Sequence, residues 1–319
     1  MNQQQSNKSH RPHGIGGTDI SAVLGLSPYK TPLQLWAEKV SDQGLPQSDA
    51  IHLRFGQHLE PFVASEYERV TKLHTSTPVG PIFHPEHGFM FASIDRLVTF
   101  EPLAHGTVIS CGEAERLLEC KTSSAFGRQD WGEAGTDQVP THYLLQCAWY
   151  MAVTNCSRAD LAVLIGNSEL RIFDIRRDLR LEGLMLEQAQ RFWYDNVLAN
   201  EPPEPSNAVD AQILFPIDEP GSRIEADEEA LECIERLAAA SAQSTQAAEE
   251  VDELKGQLMA RMGRAQEITY AGRVLATWKN TRPARRLDTT ALRCAHPEIA
   301  EEFTTTGATC RRFVFRGMP

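Results

Sequence analysis

The sequence predicts a mixed α/β fold followed by a smaller appendage. Three observations carry that expectation. Helical apolar spacing in the first 70 residues gives way near Pro81 to strand-like alternation. Strand patterns and helical patterns are then interleaved up to about residue 200. The run EPPEPSNAVD at 201–210 breaks the pattern, and one long helical stripe and one hairpin pattern come after it.

The elements follow in order. In GIGGTDISAVLGLSPYKTPLQLWAEKV, Thr18 or Asp19 is placed to cap a short helix carrying Ile20, Val23 and Leu24, which Gly25 and Pro28 end. A second helix is expected around Pro32–Lys39, then a polar loop at 41–50. FGQHLEPFVASEYERVT has Leu59, Phe62, Val63 and Tyr67 at helical spacing, with Glu60 one position off the stripe. GFMFASIDRLVTF reads as a strand, and RLLECKT as a second one reached through the loop 101–115, the two making a hairpin with a long tip. VPTHYLLQCAWYMAVT is a helix, ADLAVLIG and ELRIFDIRRD are strands, and LEGLMLEQAQRFWYDNVLAN is a long amphipathic helix. Beyond the break, 225–262 reads as one long helix, and EITYAGRVLATWKNT as a hairpin with Ala271-Gly272 at its tip. The expected organisation is a disordered tail at 1–13, a principal domain at 14–200, a linker at 201–222 and a helix-and-hairpin appendage at 223–319.

With 319 residues and 41% hydrophobic content, the chain holds one full-sized domain plus that appendage. No run of about 18 apolar residues occurs and the polar start lacks a secretion signal, so a cytoplasmic location and no membrane partner are expected. Seven cysteines without a C-x-x-C pair suggest neither a disulfide framework nor a thiolate zinc site. The net charge of −12 argues against a protein that coats nucleic acid through its overall field. Its distribution is uneven: residues 221–260 carry three basic against ten acidic side chains, and 261–319 carry eleven basic against five acidic.

Strand alternation in LLECKT places Leu117, Glu119 and Lys121 on one face and Leu118 and Cys120 on the other. If Asp95 stands on the neighbouring strand, its carboxylate meets Glu119 across the ladder. Two acids that close need a positive charge between them, which Mg²⁺ with its oxygen ligands supplies. A metal that lowers the pKa of bound water makes a nucleophile for a phosphodiester, with Lys121 orienting or helping to deprotonate that water. Glu60, on the preceding helix, completes the cluster directly or through a second metal. Gln146, three residues after Tyr143 on one helix face, is placed to hydrogen-bond the water or a phosphate oxygen. The alternative for D…E-x-K taken alone is a solvated face or a salt bridge.

Together, GIGGTDISAVLGLSPYKTPLQLW, GQHLEP, FASIDRLV, LLECKT and VPTHYLLQCAWYMAVT resemble YqaJ-type phage recombination exonucleases, relatives of lambda exonuclease in the PD-(D/E)XK nuclease superfamily. The resemblance spans about residues 11–198. It implies a restriction-endonuclease-like core with helices on both faces. It also implies Asp95, Glu119 and the Cys120 backbone carbonyl as metal ligands for Mg²⁺ or Mn²⁺, Lys121 as the catalytic lysine, Glu60 as the helix acid and Gln146 as the helix glutamine. Thr18 matches a hydroxyl residue that contacts a 5′-terminal phosphate, and Arg11 is spaced to supply the matching arginine or to serve as a solvated terminus. Digestion of linear duplex DNA from 5′-phosphorylated ends, a ring-shaped homo-oligomer, a single-strand annealing recombinase as partner and a phage or prophage origin are further implications.

Several features carry two readings. His142 and Gln146, at i and i+4, suit a metal pair or ordinary packing. Trp131, in the loop after RLLECKT, stacks on an unpaired base or anchors its loop in the core. Phe192, Trp193 and Tyr194 read as core. Arg282, Arg285, Arg286, Arg311 and Arg312 suit phosphate contact or a solvated surface. The helix at 225–262 suggests packing on a partner helix or self-association. The expectation is a metal-dependent exonuclease acting on duplex DNA ends. Its rivals are a structure-selective endonuclease on the same core and a noncatalytic DNA-binding recombination accessory protein.

Overall fold

The computed structural model describes residues 13–41, 51–102, 104, 107, 109–282, 287–307 and 310–315, and the chain forms two compact units that meet in sequence at Leu214 and Phe215. The first unit contains, in order, α1 (Gly17–Val23), α2 (Pro32–Val40), α3 (Ile51–Thr71), β1 (His74–Ser76), β2 (Ile82–Phe83), β3 (Phe91–Ala92), β4 (Arg96–Thr99), β5 (Arg116–Ser123), α4 (Thr141–Thr154), β6 (Arg158–Ile165), β7 (Glu169–Arg176), α5 (Leu179–Arg191) and α6 (Ala208–Leu214). A five-stranded sheet of order β1-β4-β5-β6-β7 forms its centre. Only β5 and β6 pair in parallel, because α4 carries the chain back between them, whereas the other neighbours are antiparallel. The expected mixed α/β class is observed.

Period-two alternation divides the core between the two faces of the sheet. Leu97, Leu117, Leu161, Val163, Phe173 and Ile175 pack with residues of α1, α4 and α5 on one face. Val98, Leu118, Cys120 and Ala162 pack with Val63, Ala64 and Tyr67 of α3 on the other. Helices therefore cover both faces. α4 is buried throughout Leu145–Val153, as its nearly continuous apolar sequence requires. Its Trp149 is fully buried and donates Nε1–H to the Phe91 carbonyl at 3.0 Å, so the large ring enters the core without stranding its polar atom. Asn155 ends the helix in the left-handed conformation, φ 59°.

Four local expectations change. Helix α1 starts one residue before Thr18, with Gly16 as N-cap, and Asp19 reaches back to accept from the Gly16 N–H at 3.1 Å. Thr18 and Asp19 are thus inside the first turn. The single strand expected over GFMFASIDRLVTF is two: β3 pairs with β2, β4 pairs with β1 and β5, and Ser93–Asp95 separate them. His13, expected in the tail, packs edge-on against Trp193 at 4.9 Å, while residues 1–12 lie outside the described residues. Within 201–222, expected as a linker, α6 is fixed by the fully buried Asp210. That carboxylate accepts from Thr31 Oγ1 at 2.8 Å, Gln34 Nε2 at 3.0 Å and both N–H and Oγ of Ser206 at 2.9 Å. Burial raises its pKa, but these donors outweigh the effect and hold it below the usual carboxylate value.

The second unit contains α7 (Glu228–Met262), β8 (Glu267–Tyr270), β9 (Arg273–Thr277), α8 (Thr289–Ala295) and α9 (Pro297–Glu302). Asp227 caps α7 by accepting from the Ala230 N–H at 2.8 Å. The β8–β9 turn is Ala271-Gly272, both at positive φ (48° and 77°), the backbone twist that a two-residue hairpin needs. Among the described residues, no helix is long and apolar enough to cross a membrane.

Candidate active site

Strand β5 presents Glu119 and Lys121 toward α4, and the β4–β5 register brings Asp95 beside them. Arg96 faces Leu118 and Leu97 faces Leu117, so Asp95, one residue before β4, falls at the level of Glu119. The loop 101–115 leaves that register intact. Its Glu113 is taken by Ser110, through N at 2.8 Å and Oγ at 2.7 Å, and Glu115 is exposed.

Asp95 Oδ2 accepts from the Cys120 N–H at 2.8 Å. A strand residue carries its N–H and C=O on the same edge, so the Cys120 carbonyl also lies on the side of Asp95, past the end of β4. Glu119, 4% exposed, accepts on Oε1 from Lys121 Nζ at 2.5 Å and from Gln146 Nε2 at 2.6 Å. Its other oxygen, Oε2, is buried without a hydrogen-bond partner. Gln146 is buried as well, and also donates to the Tyr150 hydroxyl at 2.9 Å. Lys121 Nζ lies 5.0 Å from the centre of the Tyr143 ring, a cation–π contact.

The electrostatics follow from this crowding. Burial, and next the charge of Glu119, push the Asp95 carboxyl well above the usual carboxylate range, with Lys121 and the Cys120 N–H opposing them. Lys121 is largely withdrawn from solvent, which works against its charge, yet Glu119 and then Asp95 outweigh that desolvation and raise its pKa above that of an ordinary lysine. It is an ammonium here. Cys120 and Cys147 are thiols held up in pKa by burial and then by neighbouring carboxylates, so neither is a thiolate nucleophile.

Five expected residues, Asp95, Glu119, Cys120, Lys121 and Gln146, come together. Glu60 stands at the edge of this group: its Oε1 accepts from Arg96 Nη1 at 2.7 Å, the same nitrogen that donates to the Asp95 main-chain carbonyl, and its charge reaches Asp95 and Cys120. Among the described residues, no three His, Cys, Asp or Glu side chains are gathered as a metal cluster. Thr18 is exposed on the first turn of α1, and Gly17 beside it has no room for a side chain, since a Cβ there would meet Tyr150 Cε1 at 2.4 Å. The start of α1 thereby rests on the tyrosine that holds Gln146. Arg11 lies outside the described residues, as do Arg285 and Arg286.

Trp131 is the buried anchor of its loop, stacked on Tyr143 at 5.5 Å and tilted against Phe173 at 5.7 Å. His142 is directed to Tyr29 and Tyr143 rather than to Glu119. Sequence reasoning missed Arg96 and Tyr150. The second had a signal, since Tyr150 is four residues beyond Gln146 on one helix face.

The donor set suits a hard divalent cation. One oxygen of Glu119 is satisfied, the other is buried and unpaired, and the half-buried carboxylate of Asp95 and a main-chain carbonyl edge lie beside it.

A family model described as "YqaJ-like viral recombinase domain" matches residues 8–157. Residues 8–157 are thus similar to that domain. Arg11, Thr18, Glu60, Asp95, Glu119, Cys120, Lys121 and Gln146 all fall within the matched residues. The chain is similar to the YqaJ protein of Bacillus subtilis (strain 168), 28% identical over 298 residues that cover 92% of this chain and 88% of that one. Among solved structures, it is similar to the alkaline exonuclease LHK-Exo from Laribacter hongkongensis (TM-score 0.47, 18% identity, 59% of this chain and 90% of that one). It is also similar to a phage related exonuclease from Haemophilus somnus 129PT (TM-score 0.40, 13% identity, 59% and 96%). The YqaJ-like match ends shortly after α4 and therefore contains β4, β5 and α4, the elements that build the site.

Proposed function

We propose that the protein is a metal-dependent deoxyribonuclease that degrades linear duplex DNA from its ends, 5′ to 3′, in phage-type recombination. The observation that carries the reading is the unpaired, buried Oε2 of Glu119, set beside Asp95 and Lys121. A buried carboxylate with one orphan oxygen is costly unless that oxygen has a partner, and Mg²⁺ or Mn²⁺ is the partner that the donors fit. Asp95, Glu119 and the Cys120 carbonyl are its proposed ligands, and Glu60 joins only if it releases Arg96. A divalent ion in this place supplies a water of lowered pKa and charge on a phosphate oxygen.

The remaining roles belong to the chain. Lys121, held as an ammonium, donates to the attacking water or to the phosphate and offsets negative charge as the phosphodiester is attacked. Gln146 fixes Glu119 by occupying Oε1, which keeps Oε2 free. Thr18, exposed on the first turn of α1, is the proposed contact for a terminal 5′ phosphate. Direction, location in a host cytoplasm, a ring-shaped oligomer and a single-strand annealing partner follow from the family resemblance and belong to the same proposal.

The test uses purified protein, Mg²⁺ and three substrates: closed circular duplex, linear duplex with a 5′ phosphate and linear duplex with a 5′ hydroxyl. Degradation of the linear forms, fastest with the 5′ phosphate, is expected. Nicking of the circle would support an endonuclease instead, and DNA binding without cleavage would support a noncatalytic accessory protein.

A further inference from the structure

Beside Lys121 lies a group of side chains that the chemistry above does not use. Tyr29, between α1 and α2, is 73% exposed, yet its segment is ordered: Ser27 Oγ accepts from the Tyr29 N–H at 3.2 Å and from the Lys30 N–H at 3.4 Å. Lys30 in turn pairs with Glu38 of α2 at 2.6 Å. The Tyr29 ring and the His142 ring of α4 meet edge to face at 5.4 Å and 88°, and Tyr29 is near enough to Tyr143 to help raise its pKa after burial. Tyr143 is the residue whose ring receives the Lys121 ammonium. His142 Nε2 is buried and has no hydrogen-bond partner. Burial, and after it Lys121, lower the imidazole pKa, so the ring is neutral near pH 7 and offers one donor and one acceptor.

We propose that Tyr29 and His142 form a nucleobase-binding subsite next to Lys121, which takes the base of the 5′-terminal nucleotide, the one released when the phosphodiester on its 3′ side is attacked. The inference deepens the nuclease reading and rests on it. An exposed aromatic ring held in place stacks on a base at little entropic cost, and stacking tolerates any sequence because every base has a π-face. A polar ring atom with no partner calls for one, and a nucleotide provides acceptors and donors at its base edge and phosphate. The alternative, a tyrosine that only covers the end of α4, leaves its outer face idle and His142 Nε2 unsatisfied.

The experiment compares two 5′-phosphorylated duplexes, one ordinary and one whose 5′-terminal nucleotide lacks its base. Cleavage is measured with Mg²⁺, and binding is measured by fluorescence anisotropy with Ca²⁺. Wild type is expected to cleave the abasic end on the order of tenfold less efficiently. Tyr29→Ala is expected to lower efficiency on the ordinary end to about the abasic level and to leave the abasic end unchanged, whereas Tyr29→Phe keeps the discrimination. His142→Ala is expected to weaken it in the same sense. Unfolding curves confirm that the variants remain folded. Equal cleavage of the two ends by wild type, or an equal effect of Tyr29→Ala on both, overturns the subsite. Absence of cleavage on every substrate overturns the nuclease reading itself, and the subsite with it.

Discussion

Two buried acids stand on neighbouring strands and opposite faces of the sheet, Glu119 on β5 beneath α4 and Asp160 on β6 beneath α3, at 4% and 2% exposure. Both oxygens of Asp160 are occupied: Tyr67 Oη donates to Oδ2 at 2.5 Å, and Arg116 Nη1 reaches Oδ1 at 3.1 Å and Oδ2 at 3.0 Å. Burial, and next the charge and hydrogen bond of Asp160, raise the Tyr67 pKa, so the phenol remains a donor. Glu119 has two donors on one oxygen and none on the other. The contrast separates a structural acid from a poised one. With both its oxygens taken, Asp160 rigidifies the α3 face, although the neighbouring Arg116 Nε is buried without a partner, whereas the carboxylate of Glu119 on the α4 face is complete only with something added.

Substitutions sharpen the contrast, beginning with the largest effect. Glu119→Gln or Lys121→Met should lower kcat on linear duplex by on the order of 10²–10³-fold or more, with the unfolding midpoint little changed. Asp160→Ala should do the reverse. By stranding Arg116 and Tyr67 it should cost about 3–5 kcal/mol in urea unfolding, while the folded fraction keeps its cleavage rate. A lost rate at full stability in Asp160→Ala would erase the distinction. Gln146→Leu should weaken metal affinity or activity by about 10–100-fold, the range for a residue that orients a ligand, and calorimetry with Mn²⁺ would measure it.

The smallest effect concerns pH. Because the folded protein holds the Asp95 proton more tightly than the unfolded chain, the stability it contributes is full below the ordinary carboxylate pKa of about 4 and is lost as pH rises through the folded value. In EDTA, wild type should therefore lose stability relative to Asp95→Asn as pH is raised. A difference that grows in favour of wild type would contradict the assigned environment.

Much of this was legible in the residues. LLECKT alternates, so Glu119 and Lys121 had to share a face, and antiparallel pairing across 101–115 carried Asp95 to their level. The apolar continuity of α4 announced its burial, and Ala271-Gly272 its turn. What was hidden depends on contacts distant in sequence. The pairing of Glu60 with Arg96 needs α3 laid across the start of β4, and no local pattern reports that. Asp210 reads as a charge in a proline-rich break until α2 supplies Thr31 and Gln34. Trp131 sits in a loop of turn-forming residues, and only the neighbouring Tyr143 and Phe173 rings bury it. Tyr29 and His142 are over a hundred residues apart in sequence.

The central claim is that the free oxygen of Glu119, together with Asp95, holds a divalent cation. Mn²⁺ titrated calorimetrically into the full-length protein tests it without reference to activity. Wild type and Asp160→Asn should bind with similar affinity, and Glu119→Gln should bind at least about tenfold more weakly. Equal Mn²⁺ affinity in wild type and Glu119→Gln, or none in wild type at millimolar Mn²⁺, would contradict it.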